Sequence, residues 1–443
     1  MATLPNNRDV WRIAAPMMLS NISVPLLGMV DTGVTGHLEN ADYLAAVAIG
    51  STIFAFIYAG FNFLRMGTTG ITAQKFGAED NDGLKVALGQ ALIVSLTIAM
   101  VLIILQVPIG DLSMRMLGAK GSVANHAYQY FNIRIWSAPA TLANYALVGW
   151  FLGLQNARVP LFIVLVINVT NIVLDLFFVL VLDMKVAGVA AASVVAEFSG
   201  LAFGGVYALR YLRRHPGQML FAHLTTLQEY RAFFAVNAHL LVRTMALIFS
   251  YAFVTAAGAR IGPMILAANA VLMNLMNLMS FALDGFAHAA EALVGKAVGA
   301  RNREALREAV RLTLRWSLYM SLMFCIFFFI GGPSLIRLLT DIPEVIAVAD
   351  RYLPWMTLMP LVAVWSYLYD GVFVGATRAR EMRDIMLVST FLVFLPTWYA
   401  TRELGNHGLW LALATFLASR GIGMHYYYRT RVLEAVSPAS TSP

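Results

Sequence analysis

The chain has 443 residues, of which 59% are hydrophobic and 12% charged, and its net charge is +7. A soluble domain carries roughly 25% charged residues, so water is not the main solvent here. Apolar runs follow one another so closely from Ile13 to about Tyr428 that no soluble catalytic domain fits between them. The single cysteine, Cys325, lies in the apolar run Leu322 to Ile330 and excludes a disulfide or a thiolate metal centre within the monomer.

Runs of about 20 apolar residues can cross a bilayer, and the sequence predicts twelve such helices, numbered in chain order. They cover residues 13–36, 44–64, 84–107, 126–153, 159–182, 186–210, 231–257, 265–290, 306–330, 350–375, 382–402 and 407–428. The first contains Pro16, Asn21 and Asp31 without a small-residue cleavage site, so it reads as a retained span. Pro16 removes a backbone donor and predicts a bend or hinge there.

With the N-terminus placed in the cytoplasm, one set of loops takes Arg210, Arg213, Arg214 and the series Lys296, Arg301, Arg303, Arg307, Arg311 and Arg315. The opposite loops hold only Arg115, Lys120, Lys185, Arg260, Arg337, Arg351 and Arg402. That bias is the positive-inside rule, and it predicts two cytoplasmic termini. The basicity therefore reports topology, not a nucleic-acid surface.

The chain also matches itself at a constant offset of 222 residues. Leu44, Ala45, Ala46 and Ala48 fall on Leu266, Ala267, Ala268 and Ala270. Gly77, Ala78, Leu84 and Ala87 fall on Gly299, Ala300, Leu306 and Ala309, and Gly149, Phe151, Gly153 and Arg158 fall on Gly371, Phe373, Gly375 and Arg380. Six helices per repeat return the chain to the same side, so the halves are parallel copies. The expected organisation is an all-α integral membrane protein with an N-lobe at 1–210, a basic cytoplasmic linker at 211–230, a C-lobe at 231–430 and a disordered tail at 431–443.

An ionisable side chain at mid-bilayer costs about 3 kcal/mol, so each one needs a partner, a water-filled cavity or a function. Asp31 stands in helix 1, and helix 5 places Asn168, Asn171 and Asp175 on one face. These carboxylates and amides suit a proton or sodium site; the alternative is a buried polar network that fixes packing. Helix 6 adds Ser193 and Glu197, the latter as site or packing residue. In the second half, Asp284, His288 and Glu291 share a face with Asn277 on helix 8, and Asp370 lies on helix 10.

Asp284 and Asp370 are the stronger cavity candidates, because Glu291 is near enough to Lys296 or Arg65 to pair with either. Arg134 and Arg243 are counted as the two arginines well within spans, outnumbered by acids, and are expected to form ion pairs. Met273, Met276 and Met279 offer either an adaptable ligand surface or ordinary packing. Gly295 and Lys296 resemble the end of a phosphate-binding loop, but Ala290 stands where its glycine belongs. No nucleotide or other cofactor is implied, only a coupling ion.

The run Trp11, Arg12, Ala15, Pro16, Ser20, Asn21, Pro25, Leu26, Leu27, Gly28, Val30, Asp31, Thr32, Gly36, His37 and Leu38 resembles helix 1 of the DinF-like branch of the multidrug and toxic compound extrusion (MATE) transporters. Leu64 to Gln74, and Asp370, Gly371, Gly375, Ala376, Thr377, Arg378, Met382 and Arg383, extend the resemblance over nearly the whole chain. It implies a V-shaped pair of six-helix lobes in the bacterial inner membrane. The expected activity is antiport of amphipathic, often cationic organic compounds against H+ or Na+, carried out by a monomer among membrane lipids.

The resemblance further implies a cation site at Asp31, Asn171 and Asp175, with Tyr130 on helix 4 and Ser193 on helix 6 beside it. Helix 7 offers His239 and Arg243 but no carboxylate to join the helix 10 acid, which favours proton coupling through the N-lobe. A lipid-linked substrate flippase is the alternative function on such a fold, and it would show several unpaired arginines.

Overall fold

A computed structural model describes residues 4–36, 40–218, 223–224 and 226–436, and the side chain of Asp31 is among those that lie outside the described set. The described regular structure is helical. It runs as α1 (Asn7–Gly36), α2 (Ala41–Gly77), α3 (Asn81–Ile104) and α4, the last being Gly121–Arg134 continued by Ala138–Gly153 after a tight turn. Next come α5 (Arg158–Val181), α6 (Lys185–Arg214), α7 (Arg231–Ile261) and α8 (Pro263–Gly299). The chain closes with α9 (Arg303–Leu339), α10 (Pro343–Gly375), α11 (Ala379–Leu404) and α12 (Asn406–Tyr427).

Among the described residues, nine of these are long and apolar enough to cross a membrane by themselves, and α1, α4 and α12 complete the twelve. Several helices run past the predicted apolar ends, because hydropathy marks the bilayer slab whereas a helix stops at its caps. The expected linker start at 211 gives way to helix as far as Arg214. Of the tail expected to be disordered from 431, the helical residues continue as far as Ala435, and those from Ser437 lie outside the described residues. Among the described residues, the helix Gln106–Leu117, which ends at the left-handed Gly118, escaped prediction.

The repeat is legible in the backbone atom by atom. After α2, Glu79 takes φ 56° and the Asp80 N–H returns to the Lys75 carbonyl at 3.0 Å; after α8, Arg301 takes φ 50° and the Asn302 N–H returns to Ala297 at 3.0 Å. The next helices start alike, since Asp80 accepts from the Gly83 N–H at 2.8 Å and Asn302 accepts from the Ala305 N–H at 2.9 Å, each an N-cap. The turns after α4 and α10 pair in the same way, at Gln155 (φ 61°) and Thr377 (φ 52°).

Helix crossings are copied too. A Cβ at Gly149 would collide with the Arg65 carbonyl oxygen, and one at Gly371 would collide with that of Ala287. Between helices in lipid there is little hydrophobic drive, so small residues that let backbones touch are what hold a crossing.

By internal contacts the described chain forms two compact units. One comprises Leu19–Lys75 and Asp80–Arg231. Its centre is Trp150, fully buried, with its indole N–H donating to the Leu84 carbonyl at 2.9 Å and its ring edge-on to Tyr211. The other unit takes Ala232 onward, Phe76–Glu79 and the N-terminal segment up to Met18. That segment is seated by Trp11 against Phe286 and Trp316, and by Asn7 Oδ1, which accepts from Arg315 at 2.8 Å and from the Trp316 indole at 3.0 Å.

The unit boundary thus crosses α1 two residues past Pro16, while the helix itself is uninterrupted from Asn7 to Gly36. Met276 and Met279 are buried in the core of this second unit beside Met356, Met359 and Phe328, so the methionine stripe is packing. Cys325 is buried, as its apolar run predicts.

Candidate functional site

In the first unit α5 turns its polar face inward. Asn171 and Asp175 are fully buried, and Asn168 nearly so. With its amide turned to satisfy both neighbours, Asn171 donates to Asp175 Oδ2 at 2.9 Å and accepts from the Ser193 hydroxyl of α6 at 3.1 Å. Asn168 donates to the Ser23 carbonyl of α1 at 3.1 Å and lies 3.0 Å from its hydroxyl, tying α5 to α1 just before Pro25. Asp175 is the last α-helical residue before a π-helical turn at Leu176–Val181. Such turns shift side-chain register and recur at functional sites.

Ser193 and Tyr130 also line a cavity of about 510 Å³, together with Gly28, Ser51, Tyr58, Arg134 and Tyr145. Its size suits a small organic molecule. Tyr130 OH lies 3.3 Å from Ser51 Oγ, and Tyr58 OH lies 2.9 Å from Ser137 Oγ. Behind this wall, Glu197 Oε2 accepts from Asn144 at 3.0 Å and feels the Arg134 charge. The sequence reading missed Ser51, Tyr58 and Tyr145. The signal was present, for Tyr130, Arg134, Ser137, Thr141 and Tyr145 form a polar stripe at helical spacing along α4. Asp31 lies on α1, three residues past Gly28, and its side chain lies outside the described residues.

The second unit holds a different cluster. Asp370 Oδ2 receives Arg243 of α7 and, at 2.7 Å, Arg420 of α12. Arg420 is only 3% exposed, so the count of two arginines within spans is corrected to three. Asp284 stands close enough to act on Arg243 and on the phenols of Tyr251 and Tyr367. Glu291 meets His288 Nδ1 at 3.4 Å, a pairing not among those expected for it. Among the described residues no cluster of three or more acidic, histidine or cysteine side chains could hold a metal ion.

The MatE family model matches residues 16–177 and 240–399, one stretch in each half. DNA damage-inducible protein F of Escherichia coli K12 is 42% identical over 426 residues, covering 96% of this chain and 92% of that protein. The probable multidrug resistance protein NorM of Halalkalibacterium halodurans is 24% identical, covering 94% and 92%. A solved MOP superfamily transporter from Pyrococcus furiosus shares the fold at a TM-score of 0.88, with 20% identity over 98% of this chain and 97% of its own. With twelve helices, a family match in both halves and a relative this similar from end to end, the chain belongs to the MatE family of multi-pass membrane transporters, in its DinF-like branch.

Proposed function

We propose that the protein is a proton-coupled antiporter that exports amphipathic, often cationic organic compounds across the bacterial inner membrane, with both termini in the cytoplasm. The observation that supports it most is the fully buried Asp175 carboxylate, hydrogen-bonded to Asn171 and linked through Ser193 to the wall of a cavity of about 510 Å³. A carboxylate so far from water is costly unless it binds something. Here the something is a proton, exchanged within a unit formed by Asp175, Asn171 and Asp31.

Two carboxylates that share a dry site cannot both ionise cheaply, so on this reading Asp31 and Asp175 titrate as a pair. Loading a proton from outside removes negative charge and weakens the hold on a cationic substrate, which leaves outward. Substrate arriving from the cytoplasm favours proton loss inward. The membrane potential adds about 2.3 kcal/mol per charge per 100 mV when more protons than substrate charges move. The NorM relative's designation as a probable multidrug resistance protein agrees with such cargo.

The test is export of a fluorescent organic cation from proteoliposomes under separately imposed pH and sodium gradients. Export driven by the pH gradient alone, and lost in Asp175→Asn, is expected. Export that follows sodium and ignores pH overturns proton coupling.

A further inference from the structure

The α9 helix carries a pattern that the transport reading does not use. Arg311, Arg315 and Tyr319 stand four residues apart and so share a helix face, and Leu322, Ile326 and Phe329 continue that face along the helix. These three apolar side chains are 51%, 53% and 74% exposed, and in a spanning helix acyl chains are what covers such a face. Where the face turns from basic to apolar there is an aromatic collar. Trp316 has the Trp11 ring 5.1 Å away and the Tyr319 ring 5.7 Å away, both edge-on. Tryptophan and tyrosine collect at the level of the lipid headgroups, which sets Arg311 and Arg315 at that level.

The charge there is one-sided. The acids of α9 end at Glu308, which meets Arg311 across the surface at 3.5 Å, and no Asp or Glu follows until Asp341. Arg315 gives one N–H of its guanidinium to Asn7 at 2.8 Å. Through Asn7 and Trp11 the start of α1 lies alongside, with Arg8 and Arg12 both exposed. The acid between them, Asp9, accepts from the Asn6 N–H at 3.0 Å. The fold does not require these charges, because the residues 222 positions before Arg311 and Arg315 are Gly89 and Ile93. Nor does topology, which asks only for basic residues somewhere in the loop.

We infer that Arg311 and Arg315, with Arg8 and Arg12 alongside, form a headgroup site for one anionic phospholipid whose acyl chains run down Leu322, Ile326 and Phe329. Guanidinium forks match phosphate oxygens in bidentate pairs, and the apolar face holds the chains that a free phosphate lacks. The site rests neither on the antiport reading nor on which side of the membrane the N-terminus occupies.

Lipid binding to the purified full-length protein is measured by native mass spectrometry, with palmitoyl-oleoyl phosphatidylglycerol set against phosphatidylcholine of the same chains. Each arginine near an anionic headgroup strengthens binding about fivefold. Arg311→Gln/Arg315→Gln is therefore expected to weaken phosphatidylglycerol binding about 25-fold and to leave phosphatidylcholine binding unchanged. Arg213→Gln/Arg214→Gln, which removes the same charge at the end of α6, is expected to bind as the wild type. Excess glycerol phosphate, a headgroup without chains, is expected not to displace the lipid.

Wild-type phosphatidylglycerol binding in the α9 variant, or an equal loss in the α6 variant, overturns the site. Displacement by glycerol phosphate overturns the lipid as its occupant. If the α9 double variant does not fold, Arg311→Gln alone decides, since it gives up a surface contact with Glu308. A loss of about fivefold there supports the site, and no loss overturns it.

Discussion

Replacing Gly371 by alanine tests whether the α8–α10 crossing is held by backbone contact. The new Cβ would lie 2.8 Å from the Ala287 carbonyl carbon and 2.9 Å from its Cα, and closer still to its oxygen. Carbon atoms rest at about 3.5 Å or more, so the helices would have to part by at least roughly 0.7 Å, and the closer carbonyl oxygen asks for more. Nothing flexible can yield, because the obstacle is main chain. One turn on, a Cβ at Gly375 would lie 2.5 Å from the Glu291 carbonyl oxygen, so there is little room to absorb the strain by tilting towards it.

Overpacking of this kind costs about 1–3 kcal/mol, offset by up to about 1 kcal/mol of helix propensity gained by alanine over glycine. A net loss of about 1–2 kcal/mol is expected. Gly205 on α6 has nothing within 4 Å of its would-be Cβ, so there the same substitution keeps only the propensity gain. Cys325, the single and buried thiol, serves as the reporter: a thiol-reactive dye reads its exposure as detergent-purified protein is heated. The reasoning is refuted if Gly371→Ala melts at or above the wild-type midpoint, or if Gly205→Ala falls as far.

Asp80→Ala and Asn302→Ala each remove an N-cap and are expected to cost about 1 kcal/mol, measured by the same thermal assay. The hydrogen bond from Lys75, aided by that from the Gly83 N–H, holds the Asp80 carboxyl below its ordinary value. A carboxyl depressed in the folded state contributes stability above its unfolded pKa and loses it as pH falls through the folded one. The Asp80 contribution should therefore be full near neutral pH and begin to fall only below about pH 4, and a wild-type advantage over Asp80→Asn that is already lost at about pH 6 would contradict this.

Lys85 donates to the carbonyls of Leu212, His215 and Gly217, at 2.9, 3.2 and 2.8 Å, where α6 ends. Lys85→Met is expected to cost about 1–3 kcal/mol and to speed tryptic cleavage at Arg213 and Arg214; unchanged cleavage would show that the clamp does not hold this end. Asp175→Asn is expected to abolish export driven by a pH gradient while leaving the melting midpoint within a few degrees of wild type. A large fall in that midpoint would mark Asp175 as framework.

Span number, the repeat and the polar face of α5 were legible in the sequence because each is a local or periodic pattern. Asn168, Asn171 and Asp175 fall on one face by helical spacing alone, and that face is indeed the buried one. Arg420 was not legible. It sits beside Ser419 and Gly421 towards the end of an apolar run, and its partner is 50 residues away on another helix. Only tertiary structure brings it to an oxygen already engaged by Arg243. The Gln106–Leu117 helix was hidden by Pro108 and Gly110, which read as loop. Pro108 falls in the first turn, where its missing N–H costs nothing, and Gly110 is buried against the rings of Phe131 and Tyr128. The methionine stripe is ambiguous by nature, since the same spacing serves a ligand surface and a core.

The matched turns and crossings carry one further implication. Adding 222 maps Gly149 onto Gly371 and Asp80 onto Asn302, but it also maps Asp175 onto Thr397, Asn171 onto Val393, Val148 onto Asp370 and Phe198 onto Arg420. The match keeps the turns and crossings and not these buried charges. The two halves are built to one drawing and wired differently, so each can change its chemistry without redrawing the turns and crossings on which both depend.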